Sequence, residues 1–180
     1  MTRALELAAG IDPSEDARIL GRQGWLYELK LDGVRIIADK RGDKVALYYR
    51  KQRNATENYR EIADAIKGLP DTRIILDGEI VAFDEQGRPD FQRLGHRIQT
   101  TNKSSRRAAV PVVYVVFDVL AIGPYDIRGF PLEARKEILS RIIPAQGTAG
   151  NLLRQHPTFT NGIDLFRLCR EHKLEGVVAK

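Results

Sequence analysis

From Val112 to Leu120 the chain is almost continuously apolar, with Val112, Val113, Val115, Val116 and Phe117 among its members. That is the pattern of a β-strand covered on both faces. The punctuation of the remaining sequence indicates what covers it. Trp25–Lys30, Val34–Lys40 and Val45–Arg50 read as strands separated by the turn formers Asp32-Gly33 and Arg41-Gly42-Asp43. Asn58–Gly68 has helical spacing, with Tyr59, Ile62, Ala63 and Ile66 on one face and Gly68 as its stop. Strands resume at Arg73–Leu76 and Glu79–Phe83, followed by a turn at Glu85-Gln86-Gly87-Arg88. Phe91–Ile98 reads as a short helix, Leu132–Ile143 and Ile163–His172 as longer ones, and Gly176–Lys180 as another strand. The mixture predicts an α+β fold of predominantly antiparallel sheets with flanking helices.

A chain of 180 residues buries one sizeable core, so one domain is expected. Residues 1–24 read as an N-terminal lead-in, punctuated by Gly10, Pro13, Gly21 and Gly24, with Ser14 capping a helical turn that ends near Leu20. Residues 25–180 form the body, without internal repeats. A buried strand that stops at Lys180 is an unusual domain boundary, which suggests a fragment of a longer protein. No apolar run approaches the roughly 20 residues of a bilayer span, and the start lacks the basic-then-apolar pattern of a secretory signal. The single Cys169 has no internal disulfide partner and reads as core beside Leu165, Phe166 and Leu168. A reducing, cytoplasmic setting is therefore expected.

The formal net charge is +5, and its distribution matters more than its size. Between Phe91 and Ala109 lie Arg93, Arg97, Lys103, Arg106 and Arg107, with no Asp or Glu. Such a stretch suits a polyanion, and equally a solvated loop. The histidines His96, His156 and His172 show no spacing that suggests a metal site; His172 ends a helix and complements its dipole.

Lys30-Leu31-Asp32-Gly33-Val34-Arg35 is the most informative segment. A strand delivers Lys30 to a turn, walled by Trp25, Leu29 and Leu31. Partial desolvation there would lower the lysine's pKa and free its amine as a nucleophile. Arg35 offers a planar fork to phosphate or a ribose oxygen. Taken alone, the hexapeptide reads more readily as a hairpin with surface Lys and Arg. Further elements follow in order: Arg50 at a strand end, Leu76-Asp77-Gly78-Glu79-Ile80-Val81, Val116-Phe117-Asp118-Val119-Leu120, and Glu175-Gly176-Val177-Val178-Ala179-Lys180.

These ordered elements resemble the motifs of the covalent nucleotidyltransferases: ATP-dependent DNA ligases, RNA ligases and mRNA-capping guanylyltransferases. Asp77 to Asp84, followed by Gly87-Arg88-Pro89-Asp90-Phe91-Gln92, is most similar to bacterial ligases of the end-joining type. The resemblance covers roughly Trp25 to Lys180. It implies the ATP-grasp-like adenylation domain of DNA ligases over residues 25–180, lacking a final lysine-bearing strand and a C-terminal oligonucleotide-binding barrel.

The resemblance also implies roles. Lys30 would attack the α-phosphate of ATP and hold AMP. Glu28 matches the reader of the adenine amino group and is otherwise an exposed strand acid. Arg35 matches a contact to ribose or phosphate, Arg50 a second phosphate-side arginine, Phe117 the aromatic that stacks on adenine, and Lys180 a contact to the α-phosphate. Glu79 resembles a carboxylate for ribose or metal, and Glu175 a metal ligand. Asp32 and Asp118 support their neighbours. ATP with Mg2+ or Mn2+ would be the cofactors and nicked or broken duplex DNA the partner; the charge of the basic stretch, not the resemblance, suggests Lys103, Arg106 and Arg107 as contacts to its phosphates. A bacterial, nucleoid-associated setting would follow. Two alternatives stand beside this: a guanylyltransferase or RNA ligase using the same lysine chemistry, and a noncatalytic nucleic-acid-binding module.

Overall fold

A computed structural model describes residues 3–6, 18–99, 110–143 and 152–180. In chain order the elements are β1 (Arg3–Glu6), β2 (Tyr27–Leu29), β3 (Val34–Arg41), β4 (Lys44–Tyr49), a 3-10 turn (Thr56–Tyr59), α1 (Arg60–Lys67), β5 (Arg73–Val81), α2 (Phe91–Gln99), β6 (Val113–Ile122), β7 (Tyr125–Asp126), α3 (Leu132–Ile142), β8 (Leu153–Gln155), α4 (Gly162–Glu171) and β9 (Gly176–Ala179). Met1–Asp32 with His156–Lys180 make one unit, and Gly33–Gln155 make the other.

The larger unit is built on a sheet of order β4-β3-β5-β6-β7, with antiparallel neighbours throughout and β8 added parallel to β6. As its apolar run predicts, β6 is interior. It pairs with β5, β7 and β8, and Tyr114, Val116 and Val119 lie in the core with Ile36, Leu47, Leu76 and Ile80. The helix expected at Asn58–Gly68 begins as the 3-10 turn and continues as α1. Tyr59, Ile62, Ala63 and Ile66 are its buried side, and the Gly68 N–H closes it onto Asp64 O and Ile66 O.

Asp77-Gly78 does not break the strand there: β5 runs unbroken from Arg73 to Val81. Gly78 is required by close approach. A Cβ on it would stand 2.6 Å from the Val115 carbonyl oxygen and 2.7 Å from the Tyr114 ring. The five-charge basic stretch is also corrected. Arg97 is 2% exposed and paired with Glu61, which compensates its charge inside the fold. Lys103, Arg106 and Arg107 lie outside the described residues.

The smaller unit holds an antiparallel sheet of order β1-β9-β2. One side is apolar, with Tyr27, Leu29, Val177 and Ala179 packing with Leu165 and Cys169 of α4 and with Ile19 and Leu20. Tyr27 is fully buried and its hydroxyl donates to Ile19 O at 2.7 Å. Asn161 caps α4 by accepting from the Asp164 N–H. Burial pushes the Cys169 thiol up to about 11, as a core thiol requires. Within the segment read as a lead-in, Arg3–Glu6 forms a strand opposite Gly176–Ala179; Ser14 lies outside the described residues.

The hairpin reading of Asp32-Gly33 fails. β2 pairs with β9, whereas β3 pairs with β4 and β5, so the dipeptide carries the chain from one sheet to the other. Gly33, like Gly78, answers to space: a Cβ on it would collide with the Ile80 carbonyl oxygen and stand 2.8 Å from Glu79 Cγ. Among the described residues no helix is long and apolar enough to cross a membrane.

Candidate functional site

In the smaller unit, side chains two apart on β2 share a face. Tyr27 and Leu29 face the core, so Glu28 and Lys30 share the other side. The register with β9 brings two more charges to them. Leu26 and Lys180 exchange backbone hydrogen bonds of 3.1 and 2.9 Å, and the Lys30 N–H donates to Gly176 O at 2.8 Å. Lys180 accordingly reaches Glu28, with Nζ 2.5 Å from Oε2, and Glu175 reaches Lys30, whose ammonium it pairs with.

Glu28 is not an exposed strand acid: its side chain is 2% exposed. Lys30 and Glu175 are partly buried, with side chains 24% and 33% exposed. The Lys30–Glu175 pair joins positions 145 residues apart in sequence. The carboxylate and the ammonium compensate each other's charge. The second Glu175 oxygen, Oε2, is buried with no hydrogen-bond partner. It is an oxygen donor suited to a hard cation. Among the described residues, no three potential ligands cluster as a closed metal site.

The larger unit carries a second constellation. Arg35 lies opposite Glu79 in the β3–β5 register, and Asp77 opposite Asp118 in the β5–β6 register. Residues directly opposite share a face, and Asp77 and Glu79 are two apart on β5, so these four stand on one side of the sheet. Between the pairs Asp77–Asp118 and Gly78–Val116, β6 has one extra residue, Phe117. Such a bulge re-aims the side chain that it carries. Phe117 is half-buried instead of sealed in the core, and the Arg35 guanidinium lies 5.7 Å from its ring centroid.

Arg35 grips Asp77 with two hydrogen bonds, Nε to Oδ1 at 3.0 Å and Nη2 to Oδ2 at 2.6 Å. That grip raises the Arg35 pKa. Arg135 of α3 grips Asp118 in the same forked manner, at 2.8 and 2.9 Å, with the same consequence for Arg135. Both are bidentate arginine–carboxylate pairs, which fix orientation as well as charge.

Of the residues singled out from sequence, Glu28, Lys30, Glu175 and Lys180 are brought together in one unit, and Arg35, Glu79 and Phe117 in the other. Arg50 stands exposed just beyond β4 and joins neither set of contacts described above. Sequence reasoning missed Asp77, Arg135 and His156. Asp77 sat in a quoted motif, but its bidentate partner is 42 residues away. Arg135 reads as one more charge on a helix. His156, 3% exposed, has Nδ1 3.4 Å from Glu28 Oε2; a lone histidine between strand and helix carries no signal of that contact.

A family model described as "ATP dependent DNA ligase domain" matches residues 7–180. A "Probable DNA ligase" of Streptomyces coelicolor is 36% identical over 173 residues, covering 93% of this chain and 33% of its own length. The "Multifunctional non-homologous end joining protein LigD" of Pseudomonas aeruginosa is 34% identical over 160 residues, which are 88% of this chain and 18% of that protein. The chain spans about a third of the first relative and less of the second. Among solved structures, "mycobacterial DNA ligase D complexed with ATP and MES" superposes with a TM-score of 0.71 at 24% identity, over 90% of this chain and 50% of that one. That likeness bears out the α+β fold.

Proposed function

Because this chain belongs to the ATP-dependent DNA ligase domain family, we propose that it is the adenylation part of such an enzyme and that Lys30 is its nucleophile. The neutral Lys30 amine attacks the α-phosphorus of ATP. A P–N bond forms, the bond to the bridging oxygen breaks, pyrophosphate leaves with the electron pair, and the surplus amine proton passes to solvent or a nearby base. The AMP then goes to a 5'-phosphate at a nick or break in duplex DNA.

The observation that carries this reading is the Lys30–Glu175 pair. It matches a masked nucleophile with an acid whose other oxygen lacks a partner. Glu175 is the residue that would hold Mg2+ or Mn2+ in this unit, and Glu79 is the acid assigned to ribose or metal in the other. The bound ion supplies positive charge to the phosphate oxygens. Lys180 is a cation for the α-phosphate, while Arg35 serves ribose or phosphate and Arg50 is a second phosphate-side arginine. Glu28 accepts from the adenine 6-amino group, and Phe117 stacks on the base. Support for the last role is that the bulge leaves Phe117 half-buried beside Arg35 when its neighbours Val116 and Val119 are sealed. Lys103, Arg106 and Arg107 contact DNA phosphates, and a barrel domain of the longer parent protein closes on the substrate.

The test is covalent labelling with ATP carrying label at the α-phosphate, with identically labelled GTP alongside. Label retained from ATP is the expected result. Retention from GTP alone would contradict the assignment.

A further inference from the structure

Glu28 is contacted from both edges of its strand. On one edge, β9 brings Lys180 to Oε2. On the other, Tyr27 and Phe159 exchange backbone hydrogen bonds of 2.8 Å each, which ties the His156–Phe159 segment to β2. That tie carries His156 to the same oxygen, with Nδ1 at 3.4 Å. The imidazole is 97% buried, yet neither ring nitrogen has a hydrogen-bond partner. Buried polar atoms are ordinarily satisfied, so an imidazole with two unsatisfied nitrogens against a buried carboxylate calls for an explanation. A histidine kept only for packing could be replaced by an apolar ring without leaving orphaned nitrogens.

We propose that His156 is a positioning residue for base recognition, holding the Glu28 carboxylate in the orientation that accepts from the 6-amino group of a purine. This rests on the assignment of Glu28 to the base. Lys180 alone supplies charge without direction, because an ammonium donates through three freely rotating N–H groups. The imidazole Nδ1–H is a single directed donor on a ring locked by burial. On binding, the base draws Glu28 the few tenths of an ångström that convert the 3.4 Å approach to Nδ1 into a hydrogen bond. His156 thereby sets the preference between purines without touching the phosphates.

The experiment titrates ATP and purine riboside triphosphate, which lacks only the 6-amino group, against the chain and against Glu28→Ala, His156→Leu and His156→Gln. The unmodified chain should prefer ATP by about 10–100-fold, the worth of a hydrogen bond to a charged group. His156→Leu should lose most of that preference while binding purine riboside triphosphate as before. His156→Gln, which keeps an N–H donor, should retain most of it. Equal weakening of both ligands by His156→Leu would make the role structural and overturn the proposal. So would an unchanged preference in His156→Leu when Glu28→Ala has lost it. A preference surviving Glu28→Ala would instead sink the assignment of Glu28 to the base. Should His156→Leu fail to fold, nitrogen chemical shifts of the His156 ring in the unmodified chain decide. They should move on adding ATP and not on adding purine riboside triphosphate; identical responses, or none, refute the proposal.

Discussion

Arg97 separates two accounts of the basic stretch. Read as sequence, it is one of five charges awaiting a phosphate backbone; in the fold it belongs to the core. Its Nη1 donates to Val110 O at 2.9 Å, its Nη2 to Asn58 O at 3.1 Å and to Glu61, and its guanidinium lies 5.6 Å from the Tyr59 ring centroid. The Arg97 and Glu61 side chains are 2% and 6% exposed. Arg97→Met retains much of the volume and leaves Glu61 as an uncompensated buried charge. Breaking a buried pair in this way costs about 3–5 kcal/mol. For a chain of this length that lowers Tm by roughly 6–20 °C, at 2–4 °C per kcal/mol. Pairing Arg97→Met with Glu61→Leu should recover most of the loss, since apolar replacement of both partners is nearly neutral. Thermal unfolding and salt-dependent DNA binding, measured on the same variants, distinguish a core arginine from a DNA contact. Arg97→Met should fall in Tm and leave the salt slope of DNA binding unchanged. Lys103→Ala, Arg106→Ala and Arg107→Ala together should leave Tm unchanged and flatten that slope by up to about 2.7, at 0.9 per phosphate contact. An Arg97→Met variant of unaltered Tm that flattens the slope would refute the reasoning.

Gly78→Ala should destabilise the chain by about 1–3 kcal/mol, because the new methyl stands 2.6 Å from the Val115 carbonyl oxygen of a paired strand. Denaturant unfolding should show a lower midpoint at unchanged slope. Phe117→Leu should weaken ATP binding by roughly 2–12-fold in a chain of unchanged Tm, the worth of an aromatic contact beyond its area. Unchanged affinity in calorimetry would remove Phe117 from the base site. Cys169 should resist thiol-specific reagents at pH 8 until the chain unfolds, since burial pushes its thiol up to about 11. The sign for stability follows: the unfolded thiol ionises first, so stability holds below about pH 8.5 and declines as pH rises from there toward 11.

Elements carried by local periodicity were legible in the sequence. The buried side of α1 (Ile62, Ala63 and Ile66), the interior strand β6, the strands flanking Lys30 and the helix bearing Cys169 follow from spacing alone. Pairings between distant residues were not. Opposite the Lys30 strand stand residues some 150 positions later, and a strand at Arg3–Glu6 borders them. Asp-Gly is a turn signal whether or not a turn forms. At Asp32-Gly33 and Asp77-Gly78 the glycine answers to a neighbouring carbonyl, which is invisible without the fold. For the candidate site, the motifs named Glu28, Lys30, Glu175 and Lys180 as members, but only the β2–β9 register says that they contact one another. The bulge that singles out Phe117 depends on how β6 aligns with β5, and no pattern within β6 announces it.

The most direct test of the central claim is to mix the chain with ATP and Mg2+, weigh it intact, and locate any adduct by peptide mass spectrometry. The account predicts a gain of one AMP, on the peptide containing Lys30, and its disappearance in Lys30→Ala. An adduct on another residue, or one that persists in Lys30→Ala, would contradict the account. So would the lack of any adduct both here and in a longer polypeptide that continues beyond Lys180.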